Sequence, residues 1–146
     1  MKKILVPIDG SIASQKAAEK SVELAKLFNS EVTFIHVVYV PDAVEHTKYG
    51  IYMEYDFKEM KEKMGETGKK FLDSFIGNVD CSDIIFHKQV VVGQPYEEIL
   101  KVASEDNFDL IVMGRRGFSK IKRFFVGSVT QRVISDSPCP VFVILE

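Results

Sequence analysis

Five short apolar runs, each separated from the next by a stretch with helical periodicity, constrain this chain more than any other feature. Residues 4–8 form the first run, which stops at the turn residues Asp9-Gly10-Ser11. Ser11 or Ser14 can cap the helix that follows, where Ala17, Ala18, Ser21, Val22, Leu24, Ala25 and Phe28 make one stripe. Residues 32–38 are a second strand, rich in β-branched side chains. The pattern then lapses between Tyr39 and Tyr52, a long connection or lid holding Pro41, His46, Gly50 and three tyrosines. Met53, Phe57, Met60, Met64, Phe71, Leu72, Phe75 and Ile76 restore helical steps, weakened locally by Gly65 and Gly68. Residues 84–92 read as a third strand, and Pro95 opens a helix whose buried face is Tyr96, Ile99, Leu100 and Ala103. Residues 108–113 are a fourth strand. Val129, Val133 and Ile134 mark a short last helix before a fifth strand at 140–145.

Strands that are apolar on both faces and alternate with helices imply a parallel sheet covered on each side. The order βαβαβαβαβ predicts an α/β fold with an open, doubly wound five-stranded parallel sheet with helices on both faces, and the strand order expected of it is 3-2-1-4-5. The 146 residues suffice for one domain, taken as 1–146, and 46% apolar residues suffice for its core. No secretory h-region or membrane span is expected, since the first apolar run is far too short. A net charge of -2 gives no global basic field for nucleic acid. Cys81 and Cys139 lack Cys-x-x-Cys spacing, so inert thiols in a reducing cytoplasm are expected. His36, His46 and His87 have no metal-ligand spacing, and His36 reads as a satisfied core or rim histidine.

Sheets of this kind bind ligands beyond the carboxyl ends of their strands, at the switch point beside the first strand. The strand ends collect Asp9, Val37, Val38, Gly93 and Gly114 on one rim. The most informative segment is Gly114-Arg115-Arg116-Gly117, followed after nine residues by Gly127-Ser128-Val129-Thr130. Gly114 and Gly117 let the backbone approach a bulky anion, and Gly127-Ser128 opens a helix whose free N–H groups favour phosphate. Three roles are open to the Ser128 hydroxyl: helix cap, phosphate donor, or ligand to Mg²⁺. Arg115, Arg116, Lys120, Lys122 and Arg123 are counter-charges for a triphosphate.

This loop resembles the ATP-binding version of the universal stress protein family: Gly, two residues, Gly, nine residues, then Gly and Ser or Thr. Val6-Pro7-Ile8-Asp9-Gly10-Ser11, His36-Val37, the 109–114 run and Ser137-Pro138-Cys139-Pro140-Val141 are similar to that family too, so the likeness covers essentially the whole chain. The resemblance implies an adenine-nucleotide-alpha-hydrolase-like fold and ATP, with Mg or Mn, as ligand. It implies a nucleotide site of Pro7, Asp9, Val37, Met113, Gly114, Arg116, Gly117, Gly127, Ser128 and Val129. Asp9 would meet ribose or adenine, the Val37 backbone the adenine edge, and Gly114, Gly117, Gly127 and Ser128 the phosphates, with Met113 and Val129 flanking. Arg115 and Arg116 fall where the family varies, so neither takes a fixed role from it.

Other readings compete. Asp9 taken alone reads as a helix cap ahead of a ligand, and the glycine loop reverses that order. A small adenylating enzyme would need a substrate pocket and more chain, and His-x-Gly-His is absent. A phosphoacceptor receiver would need an Asp after the third strand, where Val92-Gly93 stands, and a P-loop would need Gly-x4-Gly-Lys-Ser/Thr. A family member working only through dimer contacts would not need the glycine pattern. The expected function is an ATP-dependent regulatory or stress-response module, a weak ATPase at most, whose loaded state is read by a protein partner. The uncharged last strand, 141–145, would be an edge, which predicts a homodimer paired along it.

Overall fold

The structure, a computed structural model, describes residues 1–40, 51–117 and 126–145, with residues 51–56 described as backbone only. The described elements are β1 (Lys3–Pro7), α1 (Ile12–Phe28), β2 (Glu31–Tyr39), α2 (Ile51–Ile76), β3 (Phe86–Gly93), α3 (Pro95–Glu105), β4 (Leu110–Gly114), α4 (Ser128–Asp136) and β5 (Val141–Ile144). Their strands form one parallel sheet in the order β3-β2-β1-β4-β5, as expected. The expected lid lies mostly outside the described residues, as do Lys120, Lys122 and Arg123.

Period-two alternation along the strands sorts the core into two layers. Ile4, Val6, Val32, Phe34 and Val112 face α1 and α2, meeting Ala17, Ala18, Val22, Leu72 and Ile76. Leu5, Ile35, Ile111 and Met113 face α3 and α4, meeting Ile99, Val102, Ala103 and Val133. Small residues on α1 (Ala17, Ala18, Ser21 and Ala25) are all buried, which lets that helix lie close to the sheet. Ser11 is its cap, accepting the Ser14 N–H at 3.1 Å. At the opposite end of the sheet Asp109 accepts the Lys2 and Lys3 N–H groups at 2.6 and 2.9 Å. Those two bonds hold its carboxyl below the usual carboxylate range and tie the start of β1 to β4.

Three details differ from the sequence reading. The third strand begins at Phe86 rather than residue 84, because residues 82–84 are taken by a turn in which Asp80 accepts the Ser82 N–H and hydroxyl. That strand is not apolar on both faces, since His87 and Lys88 are exposed on an edge, where they pair with Glu31 and Asp73. Phe28 and Ile134 are 57% and 49% exposed, because each lies off the face its helix turns to the sheet. α2 runs unbroken through both glycines, so any cost they carry is in stability and not in helix geometry.

The two α2 glycines differ in kind. A Cβ on Gly68 would lie 2.7 Å from both Val38 Cγ2 and Val90 Cγ1, whereas a Cβ on Gly65 would meet nothing within 4 Å. Gly68 therefore sets the approach of α2 to the β2–β3 surface, and Gly65 only costs backbone entropy. Gly65→Ala should raise stability by about 0.5–1 kcal/mol, the usual helix-interior difference. Gly68→Ala should lower stability, with both read by urea denaturation.

Candidate functional site

The sheet opens on its central axis. β1 pairs with β2 as far as Pro7↔Ile35, and β4 pairs with β5 as far as Gly114↔Ile144. Between β1 and β4 the registered pairs are Ile4↔Leu110 and Leu5↔Ile111. Pro7 has no N–H to extend that ladder. Beyond it the strands part, and a cavity of about 290 Å³ fills the gap at their carboxyl ends.

All ten residues of the expected nucleotide site line this one cavity: Pro7, Asp9, Val37, Met113, Gly114, Arg116, Gly117, Gly127, Ser128 and Val129. Its floor is apolar, with Ile8, Ile35, Ile99 and Met113 all buried. Its rim is backbone and small polar side chains. Asp9 and Arg116 are the charged residues among those lining it.

Local chemistry explains the rim. Asp9 Oδ1 accepts both the Ser11 N–H at 2.9 Å and the Ser11 hydroxyl at 2.6 Å, closing a tight turn through Gly10 at φ 88°. Asp9 is thus not the cap of α1; it braces the residue that is. Its Oδ2 lies where a Cβ on Gly117 would stand, so the β1–α1 turn and the glycine loop meet directly. A Cβ on Gly114 would lie 2.6 Å from Ala13 Cβ and 2.8 Å from Ala13 C, so this glycine is required by helix packing as well as by any ligand.

α4 enters from the other side. Its N-cap, Gly127, supplies no side-chain bond, and the Gly127 N–H is itself donated to the Arg115 carbonyl at 2.8 Å. The N–H groups of the first turn, from Ser128 onward, have no intrahelical acceptor, and together with the helix dipole they favour a negative group. An apolar slot ending in unpaired helix amides, with one carboxylate beside it, suits a planar base, a hydroxylated sugar and an anion.

Sequence reasoning missed six lining residues: Ile8, Ser14, Ile35, Pro95, Ile99 and Thr130. The apolar ones carry no signal that separates a cavity floor from ordinary core. Thr130 stood in the quoted Gly-Ser-Val-Thr string, yet its role depends on a contact 16 residues away in the chain. His36 lies outside this cavity, on the α2 side of β2, with Nδ1 donating to the Ile8 carbonyl at 2.8 Å. It is satisfied, as expected. Burial pushes both cysteine thiols up, Cys81 and Cys139 alike.

The comparisons agree with this architecture. Residues 1–144 match the universal stress protein family. A universal stress protein of Methanocaldococcus jannaschii, MJ0531, is 35% identical over 98% of this chain and 81% of its own. YxiE of Bacillus subtilis is 33% identical over 97% of each. The solved structure of MJ0577 superposes with a TM-score of 0.82 at 30% identity, covering 99% of this chain and 96% of the other. Two more distant structures share the fold at 20% and 14% identity, one in complex with cAMP and one from Arabidopsis thaliana with AMP bound. This chain belongs to the universal stress protein family.

Proposed function

We propose that the cavity between β1 and β4 binds ATP and that the protein acts as a nucleotide-dependent regulatory module of the stress response. The observation that carries this reading is the convergence of ten residues, drawn from four separate segments of the chain, on one cavity. Ile35, Val37, Ile99 and Met113 take the base, Asp9 a ribose hydroxyl, and the glycine loop with the start of α4 the phosphates. The nucleotide-bound structures of the same fold support it. Among the described residues no cluster of three or more His, Cys, Asp or Glu stands ready to hold a metal. Ser128 lines the cavity, and its hydroxyl fits a Mg²⁺ or Mn²⁺ ion carried by the phosphates.

Hydrolysis is slow at most. Asp9 is the one carboxylate among the described lining residues, and its Oδ1 is already engaged twice by Ser11. A signalling role needs only a bound and an empty state, read by a protein partner. No described helix is long and apolar enough to cross a membrane, and the two unpaired thiols suit a reducing cytoplasm.

Calorimetric titration with Mg-ATP should give saturable binding, and absence of both heat and thermal shift would remove the reading. Gly117→Val should abolish that binding while the fold survives, because the new side chain presses on the exposed Asp9 carboxylate rather than on the core. Asp9→Ala should weaken ATP by about 1–3 kcal/mol, as for other hydrogen bonds to a charged group. Unchanged affinity in that variant would withdraw the ribose assignment.

The two edges of the sheet point to a homodimer. β3 carries His87, Lys88 and Gln89 along its edge, a usual defence against strand pairing. β5 is Val141-Phe142-Val143-Ile144 with no charge, Phe142 is 45% exposed and Leu145 65%. Pairing of β5 with its copy covers that edge by two-fold symmetry. Light scattering should show two chains per particle, and Phe142→Asp should leave one; a wild-type monomer at micromolar concentration would exclude the pairing.

A further inference from the structure

Each residue of a parallel strand turns its N–H and C=O to the same neighbour, and successive residues alternate between the two neighbours. On β2 the Val32 N–H donates to the Ile85 carbonyl at 3.0 Å and the Val40 N–H to the Gly93 carbonyl at 3.3 Å. Its even-numbered residues therefore pair with β3. Ile35 turns to β1, where its carbonyl accepts the Ile8 N–H at 2.8 Å. Val37 is the next to turn that way, but the β1–β2 register ends at Pro7↔Ile35. One step further, Val37 would pair with Asp9, giving its N–H to the Ile8 carbonyl and accepting the Gly10 N–H.

Side chains take both of those β1 groups instead. The Ile8 carbonyl accepts the His36 Nδ1–H at 2.8 Å, from the α2 side of the sheet. The Gly10 N–H donates to the Ser14 hydroxyl at 3.2 Å, which in turn donates to the Ser11 carbonyl at 2.9 Å. Among the described residues Val37 is left with no β1 partner, and it lines the cavity. One N–H and one C=O, side by side and turned to the gap, match a heterocyclic base that carries an acceptor next to a donor.

We propose that His36 is a positioning residue: by holding the Ile8 carbonyl it keeps β1 from closing onto Val37, whose main-chain N–H stays open to the base of the ligand. The inference rests on the nucleotide reading of the cavity and adds to it a reason why the middle of a sheet offers an unpaired backbone edge. His36 acts from the far face, through Ile8, and lies outside the cavity. Phenylalanine keeps a ring against Phe71, whose centroid lies 4.4 Å from that of His36, but has no donor. Asparagine carries an N–H as far along the side chain as Nδ1. Ile8 is 3% exposed, so without His36 its carbonyl is left buried and unsatisfied, and the next donor in register is the Val37 N–H.

Amide hydrogen exchange in the ligand-free protein tests the geometry without any nucleotide. In the wild type the Val37 amide should exchange roughly tenfold or more faster than the Val38 amide, which the β2–β3 ladder holds. His36→Phe should slow Val37 toward the Val38 rate, and His36→Asn should keep it fast. A mere packing defect would speed both amides together. Equal protection of Val37 and Val38 in the wild type, which needs no variant to fold, overturns the proposal, as does a Val37 rate unmoved by His36→Phe. Titration then reads the ligand. His36→Phe should lose ATP affinity about tenfold yet bind inorganic triphosphate, which has no base, within about twofold of the wild type, and His36→Asn should restore ATP. Unchanged ATP affinity, or an equal loss of both ligands, overturns the link to the base. If the wild type binds no ATP, the nucleotide reading falls, and the exchange rates alone decide whether His36 holds β1 off Val37.

Discussion

The parting of β1 from β4 is the feature on which the rest of this protein depends. Parallel strands at the centre of a sheet normally stay paired to their ends, since an unpaired buried N–H or C=O is costly. Here the two neighbours of the switch point each keep an outer partner, β2 for β1 and β5 for β4, while Pro7 withholds the donor that would carry the inner ladder further. The gap is therefore made without an orphaned N–H at Pro7. What enters it is a ligand-sized space whose floor is core and whose rim is loop.

Three segments then lean on that gap from different directions. The β1–α1 turn presents Asp9, braced by Ser11; the β4 loop presents Arg116 and Gly117; the start of α4 presents Ser128 and Val129. They are tied to one another rather than merely adjacent. Asp9 abuts Gly117, the Gly127 N–H reaches the Arg115 carbonyl, and Thr130 reaches Gly114. A site assembled this way is shaped before any ligand arrives, so little binding energy is spent on ordering it. The same loop also reaches β5 through Arg115 and Ile144, which places the exposed edge strand one hydrogen bond from the cavity wall.

Several glycines looked alike in the sequence and are not alike in the structure. Gly68 and Gly114 are there because a Cβ would strike Val38 and Val90 or Ala13. Gly117 faces a carboxylate, and Gly65 faces nothing. A glycine is conspicuous as a letter, but its purpose is the identity of the atom that comes near it, and that atom belongs to another element.

The linear pattern by itself determined the element order and the parallel character of the sheet, because hydrophobic period is local and parallel neighbours need the helical crossovers that the pattern shows. It also brought Asp9, Val37 and Gly114 to one rim, because strand ends follow from strand positions; Val38 and Gly93, collected with them, do not line the cavity, and Val38 faces Gly68 of α2 instead. Only the tertiary structure decided how those residues are used. The Gly127 amide is spent inside the protein on the Arg115 carbonyl, and the hydroxyl of Thr130, on α4, is aimed at the carbonyl that ends β4. Ile35 and Ile99 became a cavity floor instead of closed core for the same reason. Hydrogen-bond partners and empty space are set by where separate elements come to rest against one another, and no local stretch of residues contains that distance.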